Sequence, residues 1–270
     1  MRPLVFVILL LGSASILTAQ KRVAETEVEK EGAKNYNEAI EAYSAGDYAR
    51  CIPLLLAADS LIGESELIDR VKLRFALGMA YLQTEQPAPA FEQFEWVAGK
   101  DSTYPYVNYQ AAESAQLLKQ TDKALEYYAR AIQTAKDGEK AIILGKMAQI
   151  EISRGRLQLA FKRVNQAISL TSGSSYYLLR GQIVDRMARQ LDRAEDDNFN
   201  YEDAIRSGRI TEEKMLEATD LREKALTDYE IAAEDEKLAA TCQKLIERSK
   251  IIIENNRQVI SEIIYLRENP

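Results

Sequence analysis

The chain has 270 residues, 46% hydrophobic and 29% charged, with 35 basic against 42 acidic side chains and no histidine. A net charge of −7 argues against nucleic acid and anionic membrane surfaces as partners, since both need a basic footprint. The missing imidazole removes His-based triads, His zinc ligands and imidazole proton transfer from consideration.

In chain order, the first predicted element is a targeting segment. Arg2, an unbroken apolar run from Leu4 to Leu11, and the small residues Gly12, Ser13 and Ala14 ahead of Thr18-Ala19 follow the order of a secretory signal peptide: charge, apolar core, cleavage site. The run is too short for a permanent membrane helix. Cleavage is expected after Ala19, leaving Gln20 first, with Ala14 as the alternative site. A retained amino-terminal anchor is the competing reading. No cysteine lies nearby to accept a lipid. Removal of Arg2 takes the net charge from −7 to −8, and no later apolar run has membrane-spanning length. The expectation is an exported protein of the bacterial periplasm, envelope or extracellular space, with no integral membrane segment after cleavage.

Sparse glycine and proline, and abundant Ala, Leu, Glu, Lys, Gln and Arg without strand-like alternation, predict helix almost throughout. The stronger signal is periodic. Ala90, Ala124, Ala160 and Ala194 are spaced by 34, 36 and 34 residues. Around Ala90 stands Ala76-Leu77-Gly78-Met79-Ala80-Tyr81, followed by Phe94. The next unit carries Ala111-Ala112, Ala115, Ala124, Tyr128 and Ala131, and the one after it Met147-Ala148, Gly155, Ala160, Val164 and Ala167. Upstream, Ala39, Ala42, Gly46-Asp47-Tyr48, Cys51, Leu55 and Ala58 form another, with Gly-Asp as the turn. Downstream, Tyr177, Gly181, Val184 and Ala194 begin a fifth in which Phe199 and Ala204 come late.

Residues 76–94 resemble the L-G-x2-Y…A-x3-F core of the tetratricopeptide helix–turn–helix repeat, whose period is near 34. Arg74 replaces the leading Trp of that pattern, and Ser102 its terminal Pro. The resemblance implies an all-α fold, an α-solenoid of helix pairs with carboxy-terminal capping helices. Its repeats fall at about 32–65, 71–104, 105–138 and 141–174, with a degenerate one at 174–208. Together with the 1–19 signal peptide, this places the array at 20–208 and two long helices at 209–270.

The long helices begin at Thr211-Glu212-Glu213, a hydroxyl cap followed by acids in the first turn. The last helix carries Leu238, Cys242, Leu245, Ser249, Ile252, Asn256, Val259, Ile263 and Leu266 at alternating spacings of four and three. Such a stripe either caps the array or pairs with a second copy as a short coiled coil, a possible homodimer in which Asn256 would fix register. Cys51 and Cys242 are either two buried thiols or a disulfide, which spacing does not decide.

Chemistry-bearing motifs are few. The chain holds no Gly-rich phosphate loop, and two cysteines do not make a thiolate metal site, so neither cofactor, metal nor enzyme is expected. Asp196, Asn198 and Asn200 have the spacing that opens a calcium loop, but Tyr201 stands in place of its glycine and Ser207 in place of its closing Glu. They are read as a solvated turn or helix start.

The resemblance further implies that the first helix of each pair lines a concave, partner-binding surface. The positions that fall there are Tyr36, Ile40 and Tyr43; Phe75, Met79 and Leu82; Tyr106, Tyr109 and Gln116; and Gln149 and Ile152. Aromatic and apolar side chains on this face suggest a non-catalytic scaffold that takes a peptide or helix of a protein partner. The alternatives are a groove filled by the chain's own ends and a homo-oligomer assembled through 236–266.

Overall fold

The computed structural model describes residues 27–62, 68–193 and 200–269. The expected signal peptide, Ala194 of the repeat spacing, and Asp196 and Asn198 of the calcium-like spacing lie outside them. Among the described residues there are twelve helices and no strand: α1 (27–44), α2 (Tyr48–Ile62), α3 (Arg70–Gln83), α4 (Pro87–Lys100), α5 (Val107–Leu117), α6 (Thr121–Thr134), α7 (Asp137–Ser153), α8 (Leu157–Leu170), α9 (Ser174–Asp192), α10 (Tyr201–Arg206), α11 (Glu212–Ala232) and α12 (Glu236–Glu268). No described helix is long and apolar enough to cross a membrane. The chain divides into two compact units, Met1–Ala131 and Ile132–Pro270.

A single turn geometry recurs. The turns after α1, α3, α5 and α7 each have three residues, and the middle one is left-handed: Gly46 (φ 77°), Glu85 (φ 58°), Lys119 (φ 59°) and Gly155 (φ 71°). In each, the next residue donates its N–H five positions back, Asp47 to Ala42, Gln86 to Tyr81, Gln120 to Ala115 and Arg156 to Glu151. The left-handed residue itself donates three positions back, as Gly46 does to Tyr43 and Lys119 to Gln116. These paired bonds satisfy carbonyls that a helix end leaves orphaned, and they reverse the chain at once. Gly46 and Gly155 accept this conformation without cost, whereas Glu85 and Lys119 hold it despite a Cβ.

In the first unit each helix from α2 to α5 packs on its neighbour in sequence. Gly78 makes the α3–α4 crossing close, since a Cβ there would sit 2.7 Å from Phe94 Cε1. Phe94, Leu73 and Val97 are fully buried beside it. Arg74, which stands where the repeat pattern has Trp, lies 4.5 Å from the Trp96 ring and ion-pairs with Asp59 at 2.8 Å. It therefore ties α2, α3 and α4 together through one cation, part of it by stacking on an aromatic face.

In the second unit α7 packs on α8 and α8 on α9. The helix running alongside α9 is α11, and α10 is only six residues long, so 174–208 does not repeat the two-helix form of the pairs before it. Gly181 lets α11 approach α9 closely. A Cβ there would lie 2.6 Å from Tyr229 and 3.2 Å from the Ala225 carbonyl, both on α11. Helix α12 packs along α11 and touches α9. Thr211 caps α11 by accepting from the Lys214 N–H, and Asp235 caps α12. Cys51 and Cys242 are both free and buried, and burial pushes both thiols up from their ordinary range.

Ala124 and Ala160 have no exposed surface. Ala124→Leu or Ala160→Leu should overpack a helix crossing and lower stability by about 1–3 kcal/mol. Thermal melts check this, and an unchanged midpoint for both would contradict the packing.

Candidate functional site

Two surfaces carry the chemistry, one in each unit. In the first unit, Tyr36 and Tyr43 are half-buried against the core built on Ala39, Leu55, Leu73 and Leu77. Tyr43 meets Tyr48 edge-on at 5.2 Å. Phe75 is shared between fold and surface, with Phe94 5.5 Å away in the core and Tyr104 4.9 Å away in the loop before α5. Burial raises the Tyr36 and Tyr104 hydroxyls above the usual phenol range, and the Asp69 carboxylate near both raises them further. Phe75 and Tyr104 are thus in ring contact, and Tyr36 and Asp69 both act on the Tyr104 hydroxyl. Ile40, Met79 and Leu82 are half-buried along the same helices.

Tyr109 and Gln116 belong to a second group. Tyr109 stands edge-on to Tyr128 at 6.0 Å, and the buried Tyr128 hydroxyl lies between the Glu113 carboxylate and Gln116 Oε1, the latter 2.9 Å away. Burial first, and Glu113 second, push the Tyr128 hydroxyl far above its ordinary range, so it stays a donor. Tyr106 differs from the others. It occupies the left-handed residue ahead of α5 (φ 62°) and is 62% exposed. Sequence reasoning passed over Tyr104 and Asp69, which lie in connections between helices where no helical period marks a face.

In the second unit three adjoining clefts run along α7 and α9, with volumes of 320, 380 and 480 Å³. The first lies between Ile142 and Gly145 of α7 and Tyr176, Leu178 and Leu179 of α9. The second shares Gln149, Leu179 and Gln182 with the first, and adds Asp185, Arg186, Arg189, Tyr229 and Arg248. The third is lined by Ile152, Gly155 and Leu157 opposite Arg186, Arg189, Gln190 and Arg193. Gln149 and Ile152 are positions that the repeat register assigned to the partner face. The arginines were not singled out, although their spacings of three and four on one helix of an acidic chain are visible in the sequence.

The stripe on α12 turns inward. Cys242, Ile246, Ser249, Ile252, Ile253 and Asn256 are buried, and Leu245 packs against Val184, Ala225 and Tyr229. Val259 and Ile263 pack against Ala204, Ile210 and Met215. Leu238 and Leu266, at the two ends, are half-buried. Asn256, the expected register residue, donates to Asp192 Oδ2 at 3.1 Å within its own chain. Asp192 also receives Arg222 Nε at 3.0 Å, and its carbonyl accepts the Tyr201 hydroxyl at 2.6 Å. Arg222 has no exposed surface and pairs with Asp185 as well. Burial would lower its pKa, but the hydrogen bonds it donates to Asp192 and the charge of Asp185 outweigh that and keep the guanidinium charged. Arg180 clamps Asp228 through two bonds, of 2.9 and 2.7 Å. Among the described residues no group of three or more acids or cysteines is placed to hold a metal.

No protein-family model matches the chain, and no curated protein matches it in sequence. Among solved structures it is similar to MamA, a tetratricopeptide-repeat protein, with TM-score 0.56 and 16% identity over 78% of this chain and 95% of that one. A second MamA crystal structure aligns with TM-score 0.54 and 17% identity over 75% and 96% of the two chains. MamA from Desulfovibrio magneticus RS-1, residues 41 to the end, aligns with TM-score 0.51 and 13% identity over 58% and 85%. At these identities the likeness is one of fold: the chain is an all-α, tetratricopeptide-type solenoid.

Since Ile252 and Val259 face the chain's own helices, Ile252→Lys with Val259→Lys should lower the melting midpoint without changing the chain's oligomeric state. Arg222→Ala should cost more, about 3–5 kcal/mol, because it leaves Asp185 and Asp192 buried without their cation. Chemical denaturation measures the second, and a loss under ~1 kcal/mol would show that water reaches the pair.

Proposed function

We propose that this chain is a non-catalytic scaffold of the bacterial envelope or the extracellular space, which holds a peptide or helix of a protein partner on the first helices of its repeats. The observation that carries the reading is the aromatic surface of the first unit, where the Tyr36, Phe75 and Tyr104 rings stand half-buried and Tyr106 stands out at 62% exposure. Large, stiff rings of this kind bury much area for little lost side-chain entropy, which is why they anchor interfaces. The tetratricopeptide-type fold supports the same reading, since stacked helix pairs build extended binding faces far more readily than catalytic clefts. Export rests on the order of charge, apolar run and small residues over 1–19.

A photo-crosslinking side chain at Tyr106 should capture a specific protein in the native envelope, and one at Leu159, which is 43% exposed on α8, should not. Tyr106→Ala should leave the melting midpoint unchanged and weaken that capture by about 2 kcal/mol or more. Equal capture at both positions would refute the aromatic site. Amino-terminal sequencing of the envelope-derived protein should begin at Gln20, and a sequence beginning at Met1 would refute cleavage.

A further inference from the structure

On the side that faces away from the core, α2 is unlike the other second helices of the pairs. Cys51, Leu55 and Ala58 form its buried face, each with no exposed surface. Opposite them stand Ala49, Pro53, Leu56 and Ser60, all exposed, Leu56 at 45%. Ile52 and Ala57, half-buried, flank that stripe, and no charge interrupts it. The 15-residue helix holds two charged side chains, Arg50 and Asp59. Asp59 is turned to α3, where it pairs with Arg70 at 2.6 Å and Arg74 at 2.8 Å. A helix that is apolar on both faces is normally covered on both.

The other pairs supply a control within the same chain. Ala90, Ala124 and Ala160 are the fully buried counterparts of Cys51 on α4, α6 and α8. Two residues past each, where α2 has Pro53, stand Glu92, Glu126 and Lys162, all exposed. Five past, where α2 has Leu56, stand Glu95, Ala129 and Asn165, and six past, Ala57 corresponds to Trp96, Arg130 and Gln166. The outer face of every other second helix therefore carries at least one charge at these positions, and that of α2 carries none. An exposed apolar stretch of this kind marks a surface that another body covers.

The spacing points to what covers it. Ala49, Pro53, Leu56 and Ser60 are separated by four, three and four residues, a series that reads the same in both directions, as a two-fold axis across the helix requires. With the axis between Pro53 and Leu56, antiparallel α2 helices set Ala49 of one copy against Ser60 of the other, and Pro53 against Leu56, each contact made twice. Small side chains at both ends let the helices approach, and the branched Leu56 fills the space beside the proline ring. The lack of charge also matters, because two chains of net charge −7 repel wherever their charged faces meet. An anionic lipid surface fits less well, since Glu92 and Glu95 are exposed on α4 of the same unit. We propose that α2 pairs with α2 of a second copy of this chain, antiparallel, about a two-fold axis between Pro53 and Leu56. One helix face lies at the small end of the interface scale, below about 1,200 Å², so the dimer is weak. The surface sits on a second helix, apart from the rings of the first helices, and does not depend on the scaffold reading.

Sedimentation equilibrium of the full chain tests it. The mean mass should rise toward two chains at about 100 µM and return to one at about 1 µM. Leu56→Glu should weaken pairing about tenfold or more while the melting midpoint of the dilute chain holds, because that side chain is exposed in the single copy. Ala49→Cys and Ser60→Cys chains, mixed and oxidised with diamide, should give a disulfide-linked pair that neither variant gives alone. A chain that stays monomeric at about 100 µM overturns the proposal, as does an unchanged dimer of Leu56→Glu or equal linkage in the separate cysteine variants. A photo-crosslinking side chain at Leu56 that captures lipid, a different protein or residues 1–26 of its own chain also overturns it, by assigning the face to that occupant. Tyr106→Ala keeps the two readings apart. A retained dimer in a chain from which Tyr106 captures nothing sinks the scaffold reading alone, and capture at Tyr106 by a chain that never dimerises sinks this inference alone.

Discussion

In both units helices come close where one of them presents almost no side chain. Gly78 lets Phe94 lie against the backbone of α3, and Gly181 does the same for Tyr229 on α9. Alanines with no exposed surface, Ala80, Ala90, Ala111, Ala124 and Ala160, mark other close approaches. Dispersion and apolar burial both depend on this proximity, and a gap of an ångström would forfeit much of the contact. The three-residue turns with a left-handed middle residue serve the same end. They return the chain so quickly that the second helix has nowhere to pack except on the first.

From α9 onward a different device takes over. Asp192, at the end of α9, gathers Arg222 from α11, Asn256 from α12 and the Tyr201 hydroxyl from α10. Arg180 and Asp228 add a second tie between α9 and α11. Buried ions add little net stability over apolar groups of the same shape, but a misplaced partner is heavily penalised, so such a cluster selects one arrangement. Three helices of 19, 21 and 33 residues have many apolar registers open to them. The Asp192 cluster is compatible with one of these. That is also why Asn256, which would serve equally well between two chains, is used inside one.

The two surfaces differ in what they can recognise. Rings such as Tyr36 and Phe75 are rooted in the core and offer shape and area, with the Asp69 carboxylate acting on the Tyr36 hydroxyl. The α7–α9 cleft is lined by apolar side chains such as Ile142 and Leu179 at one end, and by Asp185, Arg186 and Arg189 further along.

The helix pairs, their turns and their buried alanines were legible in the sequence, because a repeat must present the same small residues at the same spacing to bury the same surface each time. Ala90, Ala124 and Ala160 fell where the period put them, as did Gly46 and Gly155, since only local geometry was at stake. Arg74 in place of Trp looked like a departure until the fold brought Trp96 over it from α4. The packing of Gly181 on Tyr229 and the bonds of Asp192 to Arg222 and Asn256 were not legible, because they join residues 30 or more positions apart whose identities follow no period. Spacing along a chain specifies which face a residue shares with its own helix. Which foreign side chain meets that face depends on how the helices close on one another, and only the tertiary structure decided that.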